Sequence, residues 1–303
     1  MELKKIQLNS KRILSILLLF LFIQGFSQRV SVENKHIFPL QIRYKNNIIK
    51  LKEGEKRILS DKEIDFVNIE YDNGKKIISR NIPILLDSSE SLDIIILNNS
   101  DQTVEFKGDK VGLHDLIVNK QHYILYKNIG AYQDILSKNT NVRTFINLSE
   151  LVLSEYLIKI KKLNDNTLEP ENKIYKRIEK YVINDWVASV YLVLTGASKL
   201  DNQSKEIILY YYNKYVKKDI DSHHCYYDDQ YYIINELARY KNQLGIVLPT
   251  YEVKVKSSDD VINQYIPQSC QRFYFINKYN YYNHLNSSER EFYKNILKEK
   301  FNN

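Results

Sequence analysis

The run Asp221-Ser-His223-His224-Cys225-Tyr-Tyr-Asp228-Asp229 is the densest group of side chains able to do chemistry in this chain. Adjacent histidines on a loop can reach one Zn²⁺, with Cys225 or Asp228 completing a tetrahedron. The spacing matches no established zinc pattern, however, and Asp221, Asp228 and Asp229 equally suit a solvated loop and a helix N-cap. The candidates His223, His224, Cys225 and Asp228 are therefore set against a bland alternative, and neither a metal nor another cofactor is expected. A second chemistry needs two carboxylates facing each other across a cleft, as in glycoside hydrolysis. Asp185, Asp228 and Glu236 are acids near aromatic residues, and the clusters Tyr210–Tyr212, Tyr226–Tyr232 and Tyr279–Tyr282 offer rings for stacking on a sugar. Tyr211 and Tyr215 also fit a helix core. No Gly-x-Ser-x-Gly, phosphate loop or His-Glu-x-x-His occurs, so the common hydrolase and nucleotide chemistries lack their residues.

Cys225 and Cys270 are the two cysteines of the chain. In an oxidising compartment they can pair, which would stabilise the fold by roughly 2–4 kcal/mol. Two separate buried thiols are the other reading. The compartment follows from the N-terminus, which has the layout of a secretory signal peptide: Lys4, Lys5, Lys11 and Arg12, then the apolar Ile13–Ile23, then the small residues Gly25 and Ser27. Those eleven positions are short of the roughly 20 that span a bilayer. Cleavage is expected near Ser27, giving a periplasmic or secreted protein without a transmembrane span.

Without residues 1–27, the formal charge of +7 loses four basic residues and one acid, 7 − 4 + 1 = +4. That excess is spread thinly, in pairs such as Lys75–Lys76 and Lys217–Lys218. Nucleic-acid binding calls for a clustered basic face, so it is not expected.

The elements that must position these residues fall into three blocks. Residues 28–107 read as a β-sandwich domain, through the apolar runs Phe38–Tyr44, Asn47–Leu51, Ile64–Tyr71, Lys76–Ile82, Leu92–Leu97 and Thr103–Phe106. Ile64–Tyr71 approximates the alternation of a half-buried strand, and Asp72-Asn73-Gly74 then supplies a tight hairpin. Six or seven short antiparallel strands are expected. Helical periodicity holds over 108–244. Ile174, Ile178, Tyr181 and Val182 share one helix face, and so do Ile233, Leu237, Tyr240 and Leu244. Over 245–303 the chain reads as extended again, with a buried strand at Arg272–Ile276 and a last helix opened by a Ser288/Glu291 capping box. The fold class is therefore α+β.

The order of blocks resembles the secreted thiol–disulfide oxidoreductases of the TlpA/ResA type, which carry an N-terminal sandwich and a helical insert. Gly245-Ile-Val-Leu-Pro249-Thr-Tyr251 is similar to the opening of their thioredoxin part. Tyr274-Phe275-Ile-Asn-Lys-Tyr279-Asn280-Tyr-Tyr-Asn283 stands where their strand leads into Trp-Cys-x-x-Cys. The resemblance implies an incomplete thioredoxin-like segment with Asn280 and Asn283 at the redox positions, and hence no carried-over catalytic residue. About 59 residues bury too little surface to stand alone. Phe273, Phe275, Phe292, Ile296 and Phe301 are expected to dock on the helical region. The function expected is a secreted, non-catalytic binding or accessory protein with an envelope protein or peptide as partner. The alternative is an envelope glycan- or polymer-acting enzyme with an acidic, tyrosine-rich cleft.

Overall fold

A computed structural model describes residues 28–45, 47–61, 63–98, 104–120, 141–163, 173–196, 199–222, 225, 228–253 and 260–301. Alternating apolar and polar residues give the strands β1 (Arg29–Lys35), β2 (Leu40–Tyr44), β3 (Asn47–Leu51), β4 (Lys56–Leu59), β5 (Phe66–Asp72), β6 (Ile77–Pro83), β7 (Ser91–Leu97) and β8 (Val104–Gly108). They form two four-stranded sheets, ordered β4-β1-β7-β8 and β3-β2-β5-β6. Val30, Val32, Ile42, Ile69, Ile82 and Ile94 lie in the core of this sandwich.

One expectation is corrected here. The sandwich is not wholly antiparallel, because β1 pairs with β7 in parallel, from Arg29 opposite Ser91 to Lys35 opposite Leu97. Parallel neighbours need a long crossover, and the chain between them supplies it by building the second sheet. Strands β1 and β4 also add to the six runs read from the sequence. The hairpin between β5 and β6 forms where the sequence put it. Asp72 Oδ1 accepts from the Gly74 N–H at 2.8 Å, and Gly74 takes a φ of 80°. At the other boundary, Gly108 has a φ of 112°, and a Cβ there would collide with the Ser91 carbonyl oxygen.

The helices that follow are α1 (Val111–Asp115), α2 (Val142–Leu163), α3 (Lys173–Leu194), α4 (Asn202–Tyr211), α5 (Asp228–Leu244), the short α6 (Asp260–Asn263), α7 (Gln271–His284) and α8 (Glu289–Phe301). Asp201 caps α4, its carboxylate accepting from the Ser204 N–H at 2.7 Å. The helical core surrounds Trp186 and Tyr191, both fully buried. Phe273, Phe275, Ile296 and Leu297 belong to the same core, so the C-terminal helices share their interior with α2–α5. Among the described residues no helix is long and apolar enough to cross a membrane.

The expected strand Arg272–Ile276 is a helix, the first turns of α7. A short apolar run does not by itself separate a buried strand from a buried helix. Here Phe273, Tyr274, Phe275 and Ile276 are all buried. Four consecutive buried positions cover the whole circumference of a helix, so no amphipathic stripe signals it. The described residues of 245–303 contain no strand, and the expected thioredoxin-like element order is therefore corrected to a helical pair. Tyr282 stacks on Tyr293 at 5.3 Å between ring centroids, joining α7 to α8. Phe292, expected to be covered, is 49% exposed.

Candidate functional site

The strands of the β3-β2-β5-β6 sheet turn apolar residues into the sandwich and polar ones outward. On the outer face of β5 stand Asn68 and Glu70, with Arg43 opposite Asn68 on β2 and Asn81 opposite it on β6. In a free sandwich this face would be wet. Here α7 lies over it, and Asn68 and Glu70 are 4% and 2% exposed. Buried charges require partners, and a connected network supplies them.

Glu70 sits between two guanidiniums. Arg43 Nε reaches its Oε2 at 3.3 Å, and Arg272, from the first turn of α7, pairs with its Oε1. Arg43 also donates to the Phe301 carbonyl at 2.7 Å, tying the end of α8 to the sheet. Arg272 donates to Asn68 Oδ1 at 3.3 Å. Asn68 Nδ2 donates in turn to Ser79 Oγ at 2.9 Å and Asn81 Oδ1 at 2.5 Å. Asn81 then donates to Asp228 at the start of α5. The chain of contacts crosses the whole seam between sandwich and helices. Burial lowers the pKa of Arg43 to about 10. Burial, and then repulsion from Arg43, brings Arg272 to about 9.

Hollows open along this seam. The one beside Arg272 holds about 600 Å³ and is lined by Arg43, Tyr44, Ile48, Phe66, Ser269 and Phe273 among others. A second, of about 250 Å³, has Leu40, Tyr71 and Leu297 in its wall and Lys50, Lys294 and Lys298 around it. A third, of about 220 Å³, is lined by Asp228, Tyr231, Tyr232, Asn277 and Asn280.

Cys225 and Cys270 are joined in a disulfide with Cα atoms 4.8 Å apart, two residues before Arg272. Ser269 Oγ accepts from the Cys225 N–H at 3.1 Å, so the junction is held by a hydrogen bond as well. The bonded sulfur is no longer a thiolate ligand, which removes Cys225 from the candidate zinc set. His223 and His224 lie outside the described residues, as do Tyr226 and Tyr227. Among the described residues no group of three or more His, Cys, Asp or Glu is placed to hold a metal ion.

Among the described residues, the acids singled out in the sequence stand in different surroundings. Asp228 is the acid that lines the 220 Å³ hollow. Asp185 is buried in α3, and Asp229 is its electrostatic neighbour. Burial, Asp185 and Asp228 push the Asp229 carboxyl well above its ordinary range. Glu236 instead holds Arg239 at 3.1 Å. Of the described tyrosines in the three clusters, Tyr211, Tyr212, Tyr231 and Tyr279 are buried.

No protein-family model matches the chain, and no solved structure matches it. Curated relatives named DNA replication and repair protein RecF, from Clostridium botulinum strains 657 and Langeland, are each 28% identical over 193 residues. A third, from strain Loch Maree, has the same identity, and each match covers 59% of this chain and 52% of the relative. The chain thus spans about half the length of the curated relatives it matches.

Sequence reasoning missed Arg43, Glu70 and Arg272. One signal was present: Glu70 and Asn68 occupy the polar phase of a strand whose flanks read as half-buried. Nothing in the sequence shows that α7 covers that phase. Asn280 and Asn283 were singled out as the positions of absent cysteines. The structure gives them other work: Asn280 holds the main chain of Ile77, and Asn283 donates to the Lys75 carbonyl.

Proposed function

We propose that this is a secreted, non-catalytic binding or accessory protein of the cell envelope, a redox-inactive relative of the thiol–disulfide oxidoreductases. The observation that carries the reading is the Cys225–Cys270 disulfide. It uses both cysteines of the chain, in keeping with an oxidising compartment. A buried structural bond at the foot of α7 is unlike a thiolate kept reactive by an exposed, electropositive setting. The seam hollow of about 600 Å³ falls in the size range of ligand sites and supplies a place to bind.

Purified protein in an insulin-reduction assay tests this directly. Background turnover is expected. Robust turnover that disappears in Cys225→Ser or Cys270→Ser would overturn the proposal. The DNA-directed role in the relatives' name finds less support here. Among the described lysines, Lys45 pairs with Asp61 at 2.7 Å and Lys56 with Asp93 at 2.7 Å, so these two charges are already matched by acids. A duplex-DNA mobility assay would show that role if it exists. The polymer-acting enzyme keeps one supporting feature, the Asp229 carboxyl raised by burial and by its neighbours Asp185 and Asp228.

A further inference from the structure

The hollow of about 250 Å³ is bordered by Lys50 of β3 and by Lys294 and Lys298 of α8. All three are exposed, and none pairs with an acid among the described residues. The larger hollow differs, because its Arg43 and Arg272 are already taken up by Glu70, Asn68 and the Phe301 carbonyl. Lys294 and Lys298 are four residues apart, so they share one face of α8 and repel each other. Lys50 adds a third ammonium group from an edge strand of the sheet.

Two carboxylates also border this hollow, and neither neutralises the lysines. Glu70 gives one oxygen to Arg43 and the other to Arg272. Asp72 is held in its hairpin, accepting from the Gly74 N–H at 2.8 Å. It lies on β5, which β2 separates from Lys50 on β3, a spacing of about 10 Å across the sheet.

The interior is apolar, with alkyl surface from Leu40, Ile77 and Leu297 and ring surface from Tyr71 and Tyr279. Its volume of about 250 Å³ is just below the range of about 300–1,000 Å³ usual for ligand sites. That size suits one short alkyl chain better than a ring system. An apolar interior under a cationic border matches an amphiphile with an anionic head. Ammonium groups are point charges without the planar fork that matches a carboxylate, and they serve phosphate oxygens well. Three of them favour a dianion over a monoanion, since attraction scales with the charge of the ligand.

We propose that this hollow binds a single-chain alkyl phosphate monoester, its head held by Lys50, Lys294 and Lys298 and its chain lying against Leu40, Tyr71 and Leu297. The inference rests on the binding-protein reading above and names the ligand class.

The test is calorimetric titration of the purified protein with hexyl phosphate, below its micelle-forming concentration, against butyl phosphate, hexanoate and inorganic phosphate. Saturable binding of hexyl phosphate is expected, weakening as salt rises. Butyl phosphate should bind about tenfold more weakly, at about three- to fourfold per methylene removed from the apolar wall. Hexanoate and inorganic phosphate should each bind more weakly than hexyl phosphate. Lys294→Gln/Lys298→Gln should weaken hexyl phosphate by about three- to tenfold. Its thermal unfolding should be unchanged or raised, because a repelling pair is removed. Lys300 is exposed on the same helix but does not border the hollow, so Lys300→Gln should leave the affinity within about twofold of the parent. No binding of hexyl phosphate, equal binding of butyl phosphate, hexanoate or inorganic phosphate, or equal losses in Lys300→Gln and the double variant would each overturn the site. Those failures leave the binding-protein reading standing, whereas cysteine-dependent insulin reduction would remove that reading and not the site.

Discussion

The side chain of Asn280 accepts from the Ile77 N–H at 2.8 Å and donates to the Ile77 carbonyl at 2.9 Å. Ile77 opens β6, an edge strand of its sheet. An unpaired edge invites pairing with other chains, and here a helix side chain imitates the missing neighbour. Asn280→Ala should therefore lower stability by about 1–2 kcal/mol, since two main-chain groups lose their partner and water can restore only part. The single tryptophan, Trp186, is fully buried, so its fluorescence reports the shift. An unchanged unfolding midpoint would show that the contact is incidental.

Restoring cysteines at these positions should not restore reductase chemistry. Asn280 and Asn283 lie in the last turns of α7, which begins at Gln271. The helix dipole stabilises an anion within about the first turn, so neither new thiol gains an acidic pKa from it. Asn280→Cys/Asn283→Cys is expected to show no insulin reduction above the parent protein. Turnover in that variant would show that the position, despite its helical setting, supports thiolate chemistry.

How far the sequence revealed this architecture depends on what each segment packs against. Strand β5 and the Asp72–Gly74 hairpin were readable because their signals are local: alternation and positive φ. The stripes of α3 and α5 were readable because one side of each helix is apolar. Helix α7 was not, since Phe273 through Ile276 are buried on successive sides and leave no polar phase. The Arg43–Glu70–Arg272 cluster was hidden for a related reason. Two of its members come from a sheet face that looks solvated, and the third lies over 200 residues away in sequence. Only tertiary contact makes them neighbours.

The disulfide closes a sequence separation of 45 residues. Chain-entropy reasoning assigns such a loop about 4 kcal/mol, with native strain and residual denatured structure able to reduce it. Cys225→Ser/Cys270→Ser should lower the unfolding midpoint by several degrees and mimic the reduced wild type. Identical melting with and without reductant would argue that the bond contributes nothing to stability.

His114 should make the protein acid-sensitive. The ring is fully buried. Its Nε2 accepts from the Leu85 N–H at 3.1 Å, and its Nδ1 faces the Lys110 carbonyl at 2.9 Å, so the neutral ring carries its proton on Nδ1. Burial, reinforced by the Lys110 charge and opposed by that carbonyl, lowers its pKa to about 4 from 6.5. The unfolded chain then binds more protons between those values, and stability falls as pH drops through that window. The full gap corresponds to about 3 kcal/mol. Chemical-denaturation stability measured from pH 7 to pH 4 should lose much of this slope in His114→Leu, whatever that variant's absolute stability.

Asp229 should act in the opposite direction over an overlapping range. Burial, Asp185 and Asp228 hold its carboxyl well above the ordinary value of 3.8. The folded protein therefore retains a proton that the unfolded chain has released, so raising the pH above about 4 costs stability until the folded carboxyl ionises too. Asp229→Asn keeps the size and polarity but removes the titration. It should raise stability at neutral pH, lessen repulsion on Asp185 and Asp228, and flatten the loss on going from pH 5 to pH 8. If Asp229→Asn is instead less stable than the parent at pH 8 by as much as at pH 5, the carboxylate is stabilised by its surroundings and the strain argued here is absent.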